Sequence, residues 1–132
     1  MEQTFVITLV SPFSGQIRGE VVKMPKIFFV DTGLRNSCIG SFELTGETLE
    51  NGFFATINNA YKAKEIRFYR TKDGQEIDFI LDGEPYEVKL SYNGKRLSAM
   101  KYFMEKYKKQ GKMITLHKND GVKDRLFFPW EV

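Results

Sequence analysis

A single cysteine, Cys38, leaves no internal disulfide to hold the fold, and cysteine this sparse suits a reducing, cytoplasmic setting. With no base suggested beside it, Cys38 reads as a small core residue rather than a nucleophile. Histidine is equally scarce, His117 being the only one. That excludes zinc sites of the two-histidine kind and makes a Ser-His-Asp mechanism a poor fit. No apolar run approaches the ~18 residues that would cross a bilayer, and the opening MEQTFVITLV lacks the basic start of a signal peptide, so no membrane partner is expected. No G-x-x-x-x-G-K-[ST] stretch is present, which excludes ATP binding by that phosphate-cradling loop. The net charge of +3 is too small by itself to specify a nucleic-acid partner. Any chemistry here must run on carboxylates, lysines and a hard metal ion.

What is present is 132 residues, 42% of them hydrophobic, enough for one modest core. Residues 4–10 (TFVITLV) read as a strand and 16–24 (QIRGEVVKM) as a weaker one, joined by the turn SPFSG. Residues 1–25 are thus expected to form an N-terminal β-hairpin, with Phe5, Ile7 and Leu9 on a face that a lone hairpin cannot bury. It should pack on the main body or pair with a second chain. The domain proper, 26–132, opens with the strand KIFFVD and a short helical or irregular TGLRNSCIG. Residues 46–60 read as a helix: at 100° per residue, Leu49, Phe53, Ile57 and Ala60 fall within about 80°, and Phe54 widens the stripe. Glu50 falls on that apolar stripe, where a carboxylate is out of place.

Strands are expected at 65–71, 75–81 and 84–91, separated by the hairpin turns KDG and DG. A helix of about 14 residues through KRLSAMKYFMEKYKKQ puts Leu97, Met100, Met104 and Tyr107 on its apolar side, with Gly111 as its stop. KMITLH (112–117) is a further strand, reached by a helical crossover and so parallel to its neighbour. The tail DRLFFPWEV should pack back on the body. From Gly46 onward the order is α-β-β-β-α-β around a mixed sheet.

Within this frame the acidic residues of EIDFILDGEPYEVKLS stand out. Alternation puts Glu76 and Asp78 on one strand face and Ile77, Phe79 and Leu81 on the other; Glu87 and Lys89 share a face opposite Tyr86, Val88 and Leu90. A two-residue type I′ loop at Asp82-Gly83 sets Asp78 across from Glu87 and Glu76 across from Lys89. Pro85 then meets Ile80 at a non-hydrogen-bonded position, where its missing N–H costs nothing. Opposed carboxylates repel unless a cation lies between them or one stays protonated. With Glu50 added from the preceding helix, three carboxylates and a lysine suit Mg²⁺ or Mn²⁺, which can generate hydroxide and stabilise a pentacovalent phosphate. The other reading is a solvated ion-pair network on an open sheet face. Further on, Lys95, Arg96, Lys101, Lys106, Lys108 and Lys109 are candidates for phosphate contacts to DNA, or equally a solvated helix face.

The pattern of Glu50, then Asp78-x(8)-Glu87-x-Lys89 on the second and third strands, resembles the PD-(D/E)xK nuclease superfamily of restriction endonucleases and archaeal Holliday-junction resolvases. The blocks VSPF, KMPKIFFVDTGLRN, LEN, FYRTKDGQEIDFIL and YEVKLS are similar, in that order, to the C-terminal domain of uncharacterised archaeal and bacterial AAA-type ATPases. The resemblance implies an α/β fold of the restriction-endonuclease-like kind, preceded by a β-hairpin remnant of a winged-helix wing. It implies Glu50, Asp78 and Glu87 as ligands for Mg²⁺ or Mn²⁺, Lys89 as catalytic lysine with Asp78 and Glu87, and Glu76 and Arg70 as auxiliary residues. Ile77 stands where the superfamily often has proline, and GSFELTGETLEN is shorter than the stretch that usually precedes LEN. The implied function is metal-dependent phosphodiester hydrolysis on DNA, in a chain that lacks the family's ATPase module. The alternative is a non-catalytic DNA-binding or protein-docking module that regulates a partner ATPase, with homodimerisation through the hairpin a further option.

Overall fold

The computed structural model describes residues 6–13, 24–61, 65–95, 98–118, 121 and 125–132. In chain order the elements are β1 (Ile7–Val10), β2 (Lys26–Phe29), α1 (Thr32–Ile39), α2 (Gly46–Ala60), β3 (Ile66–Arg70), β4 (Glu76–Leu81), β5 (Glu84–Ser91), α3 (Ser98–Tyr107), β6 (Lys112–His117) and β7 (Leu126–Phe127). β3 to β7 form a five-stranded mixed sheet in sequence order. Its first two pairings are antiparallel, and β5–β6 and β6–β7 are parallel. The order α2-β3-β4-β5-α3-β6 is the αβββαβ succession expected from the sequence. None of the described helices is long and apolar enough to cross a membrane.

Local chemistry fixes the ends of these elements. Thr45 caps α2, its hydroxyl accepting from the Thr48 N–H, and Glu47 lies in the first turn, where the helix dipole favours an acid. Asp31 caps α1 by accepting from the Leu34 N–H, and Gly40 ends that helix at φ 73°. Asp82 and Gly83 both have positive φ, 50° and 79°, as a type I′ turn requires. Their hairpin holds Phe79–Tyr86, Ile80–Pro85 and Leu81–Glu84 in register.

The sheet is covered on both faces. Leu49, Phe53, Phe54 and Ile57 of α2 pack with Phe68, Phe79, Leu81, Tyr86, Val88 and Ile114. On the other face Ala99, Met100 and Phe103 of α3 pack with Ile77, Ile80, Tyr92 and Met113. Ala60, expected on the α2 stripe, is exposed.

Several sequence expectations meet a different arrangement in the structure. First, simple alternation fails in β4. Between the pairs Arg67–Ile80 and Tyr69–Ile77, β3 advances two residues while β4 advances three. This bulge at Asp78–Phe79 turns Ile77 to the α3 face and leaves Phe79 and Leu81 on the α2 face.

Second, the described partner of β1 is β2, with Ile7–Phe29 and Val10–Lys26 in antiparallel register. A boundary at residue 25 would therefore divide two strands that pair. The second arm of the expected hairpin lies largely outside the described residues, as does Phe5; Met24, its last residue, is in no strand. Buried on β1 are Thr8 and Val10 rather than Ile7 and Leu9. β1 packs on the main body: Val10 joins the α2-side core, Pro12 bridges to Phe68, and Phe13 sets its ring edge-on to Phe103 and Tyr107.

Third, α3 ends at Tyr107, not near Gly111. Lys108 takes the left-handed conformation at φ 52°, and the Lys109 N–H reaches back to the Met104 carbonyl. Phe103, which is fully buried, anchors the helix; Leu97 lies outside the described residues. Cys38 is also reassigned, being exposed rather than in the core.

Candidate functional site

The bulge in β4 and the entry of α2 place a group of charged side chains at one end of the sheet. At its centre is Lys26, the first residue of β2. Its Nζ lies 2.8 Å from Glu50 Oε1, 3.0 Å from Glu76 Oε2 and 3.8 Å from Asp78 Oδ1. Arg70, at the end of β3, closes on Glu76 Oε1 at 2.5 Å. Glu76 thus pairs with Lys26 and Arg70, whereas the hairpin register had set it opposite Lys89.

Asp78 was expected to lie squarely across from Glu87. Instead the ladder pairs stop at Phe79–Tyr86, and the Val88 N–H, which an uninterrupted ladder would give to a main-chain carbonyl, donates to Asp78 Oδ2 at 2.9 Å. The bulge re-aims Asp78 into the opening between the two strands. Glu87 sits deeper, 2% exposed, and accepts from Lys89 Nζ at 2.8 Å through Oε1. Its Oε2 is buried and makes no well-aligned hydrogen bond among the described residues, although the Asp78 main chain lies near the carboxylate. Beside the Glu87–Lys89 pair is a cleft of about 160 Å³, lined also by Ser91, Tyr92, Asn93, Lys95 and Met113.

The charges in this group are strongly coupled. Burial pushes Glu87 up to about 7, and the negative charge of Asp78 adds to that, against the pull of Lys89. Burial raises Asp78 as well, outweighing the Val88 N–H and Lys26. Glu50 is raised by burial and then by Asp78. Glu76 goes the other way: burial opposes ionisation, but Lys26 and Arg70 together hold it below the usual carboxylate value. Burial alone would lower Lys26, yet Glu50, Asp78 and Glu76 keep its ammonium above its ordinary value.

The structure therefore brings Glu50, Glu76, Asp78 and Arg70 together around a lysine that sequence reasoning misses, with Glu87 and Lys89 as an adjoining pair. A lysine at the first position of a short apolar strand carries no spacing signal, and its partners stand 24 to 52 residues away. Carboxylate oxygens are the right donors for Mg²⁺ or Mn²⁺, and the buried, poorly satisfied Glu87 Oε2 is an acceptor in want of a cation or proton. As placed, however, no three His, Cys, Asp or Glu side chains among the described residues are arranged to hold a metal ion. The Lys26 ammonium lies between the carboxylates.

Of the basic candidates, Lys95, Lys101, Lys106, Lys108 and Lys109 are exposed, and Arg96 lies outside the described residues. Lys95 borders the cleft beside Glu87 and Lys89. Lys106 lies over the rings of Tyr102 and Tyr107 at 5.5 and 5.4 Å. Lys109 approaches the Asp82-Gly83 turn.

Comparison with known families adds two matches. Residues 1–45 match the model of a domain of unknown function, DUF8612, and residues 45–130 match that of another, DUF4143. The two matches meet at residue 45, ahead of α2. No curated protein and no solved structure matches the chain significantly. The second match spans well over half of the sequence and contains Glu50, Arg70, Glu76, Asp78, Glu87 and Lys89, so the chain belongs to the family of the domain of unknown function DUF4143.

Proposed function

We propose that the domain is a PD-(D/E)xK nuclease-like module that hydrolyses phosphodiesters in DNA with Mg²⁺ or Mn²⁺. The observation that carries this reading is the gathering of Glu50 from α2, Asp78 from the bulge of β4, and Glu87 and Lys89 from β5 at one end of a mixed sheet entered in αβββαβ order. A restriction-endonuclease-like core would present its site from these same elements. The family commonly stands C-terminal to AAA-type ATPases, which suits a module that acts on DNA handled by a motor. A divalent ion held by Glu50, Asp78 and Glu87 would supply an activated water and stabilise charge on the phosphate. Lys89, paired with Glu87 Oε1, would hold its ammonium beside that charge. Lys95, Lys101, Lys106, Lys108 and Lys109 would meet flanking phosphates.

A second reading has its own observation. With Lys26 among the carboxylates, the cluster is held together without metal. That favours a non-catalytic module that binds DNA or docks on, and regulates, a partner ATPase. One experiment separates the two: incubation with linear, branched and single-stranded DNA in Mn²⁺ or Mg²⁺, with Asp78→Ala as control. Catalysis requires metal-dependent cleavage that Asp78→Ala abolishes. DNA binding that weakens steeply with salt, without cleavage by the unaltered protein, selects the second reading.

A further inference from the structure

Lys26 reaches the site from β2, a strand outside the main sheet. Its Nζ touches two carboxylates at hydrogen-bond distance, Glu50 and Glu76, and lies 3.8 Å from a third, Asp78. A Mg²⁺ or Mn²⁺ ion drawing oxygens to about 2.1 Å would need the space that this ammonium fills. Two cations of total charge +3 cannot share it, because their repulsion at such a separation exceeds that of any surface pair.

We propose that Lys26 is the resident cation of this cluster, and that divalent metal enters only by displacing its ammonium. The inference rests on the metal-dependent reading above. Charge counting points the same way. Four carboxylates, Glu50, Glu76, Asp78 and Glu87, face three cations, Lys26, Arg70 and Lys89. With all four carboxylates ionised, as metal binding requires, taking Lys26 away leaves a deficit of two charges, which one divalent ion fills. Lys26 also ties the site to the N-terminal strands: it is paired in register with Val10, whose side chain is fully buried in the core. Metal binding is therefore coupled to how β1 and β2 sit. Anything that draws β2 away would open the site to metal.

The test is Mn²⁺ binding by the full chain, read by calorimetry and by the Mn²⁺-dependent rise in melting temperature. Lys26→Met should bind Mn²⁺ at least tenfold more tightly than the unaltered protein and gain the larger thermal shift. Lys26→Met/Glu50→Gln should lose that gain. Equal or weaker binding by Lys26→Met overturns the competition while leaving a metal-dependent site standing. Absence of Mn²⁺ binding in both forms overturns both ideas. Should Lys26→Met fold poorly, ¹⁵N-lysine spectra of the unaltered protein give an independent answer. The Lys26 ammonium signal should change in step with Mg²⁺ binding, and a signal that stays fixed while Mg²⁺ binds overturns the proposal.

Discussion

At the scale of single residues, Glu87 is the most informative group in the protein. It is almost wholly buried, shares its neighbourhood with Asp78, and is neutralised only in part by Lys89. Its carboxyl is pushed from 4.5 to about 7, so the fold favours the protonated form. The sign follows directly. The stabilisation from a raised carboxylate is full below the unfolded value and is lost as pH rises through the folded value. Glu76, held low by Lys26 and Arg70, contributes the opposite dependence, lost as pH falls into the acid range. Glu87→Gln keeps an oxygen for Lys89 and removes the buried charge. In metal-free solution the variant should match the unaltered protein near pH 4.5 and exceed it at pH 8 by about 1–3 kcal/mol. Urea denaturation at the two pH values checks this. A variant that is less stable at pH 8 would mean that the Glu87–Lys89 pair, rather than Asp78 and burial, governs the site.

At the scale of elements, what the sequence discloses and what it hides divide along sequence separation. The Asp82-Gly83 hairpin was legible because its turn chemistry is local, and α2 because its apolar stripe lies within one segment. The order of elements from α2 to β6 follows from such local signals. The bulge at Asp78–Phe79 was not legible, since it depends on how β3 and β4 align around Phe68. Lys26 was invisible for the same reason: only the tertiary fold brings β2 to α2 and β4.

The end of α3 is an intermediate case. A glycine at 111 looks like a helix stop, but a Cβ there would meet Met100 Sδ at 2.8 Å and Met104 Sδ at 2.9 Å. Gly111 serves close packing of the chain against α3, while Lys108 bears the positive φ. The two positions should respond in opposite directions. Lys108→Gly relieves a left-handed side chain and should stabilise by about 0.5–1 kcal/mol. Gly111→Ala forces two methionines to move, one of them fully buried, and should destabilise by about 1–3 kcal/mol. Chemical denaturation measures both. The reverse pair of signs would restore Gly111 as the helix stop.

At the scale of the whole molecule, the question is whether residues 26–132 are a self-sufficient domain. The contacts argue that they are not. Val10 is fully buried, Phe13 meets Phe103 and Tyr107 edge-on, and Ser11 and Phe13 exchange main-chain hydrogen bonds with Phe68. β2 has β1 as its ladder partner, and Phe28 on it stacks on Phe54 at 4.6 Å within the core. Burying a valine or a phenylalanine is worth about 1.5–3 kcal/mol each. Losing fully buried Val10, half-buried Phe13 and a strand pairing removes a large part of the 5–15 kcal/mol that holds a typical domain together. A chain beginning at Lys26 should therefore lose its cooperative urea transition and its amide dispersion in ¹H–¹⁵N spectra. It would also leave Lys26 on an unpaired strand, so any molecules that still fold should bind Mn²⁺ more readily than the full chain. A shortened chain that unfolds cooperatively at the same urea concentration would show that β1 is peripheral, and would cut the link between the N-terminal strands and the carboxylate site.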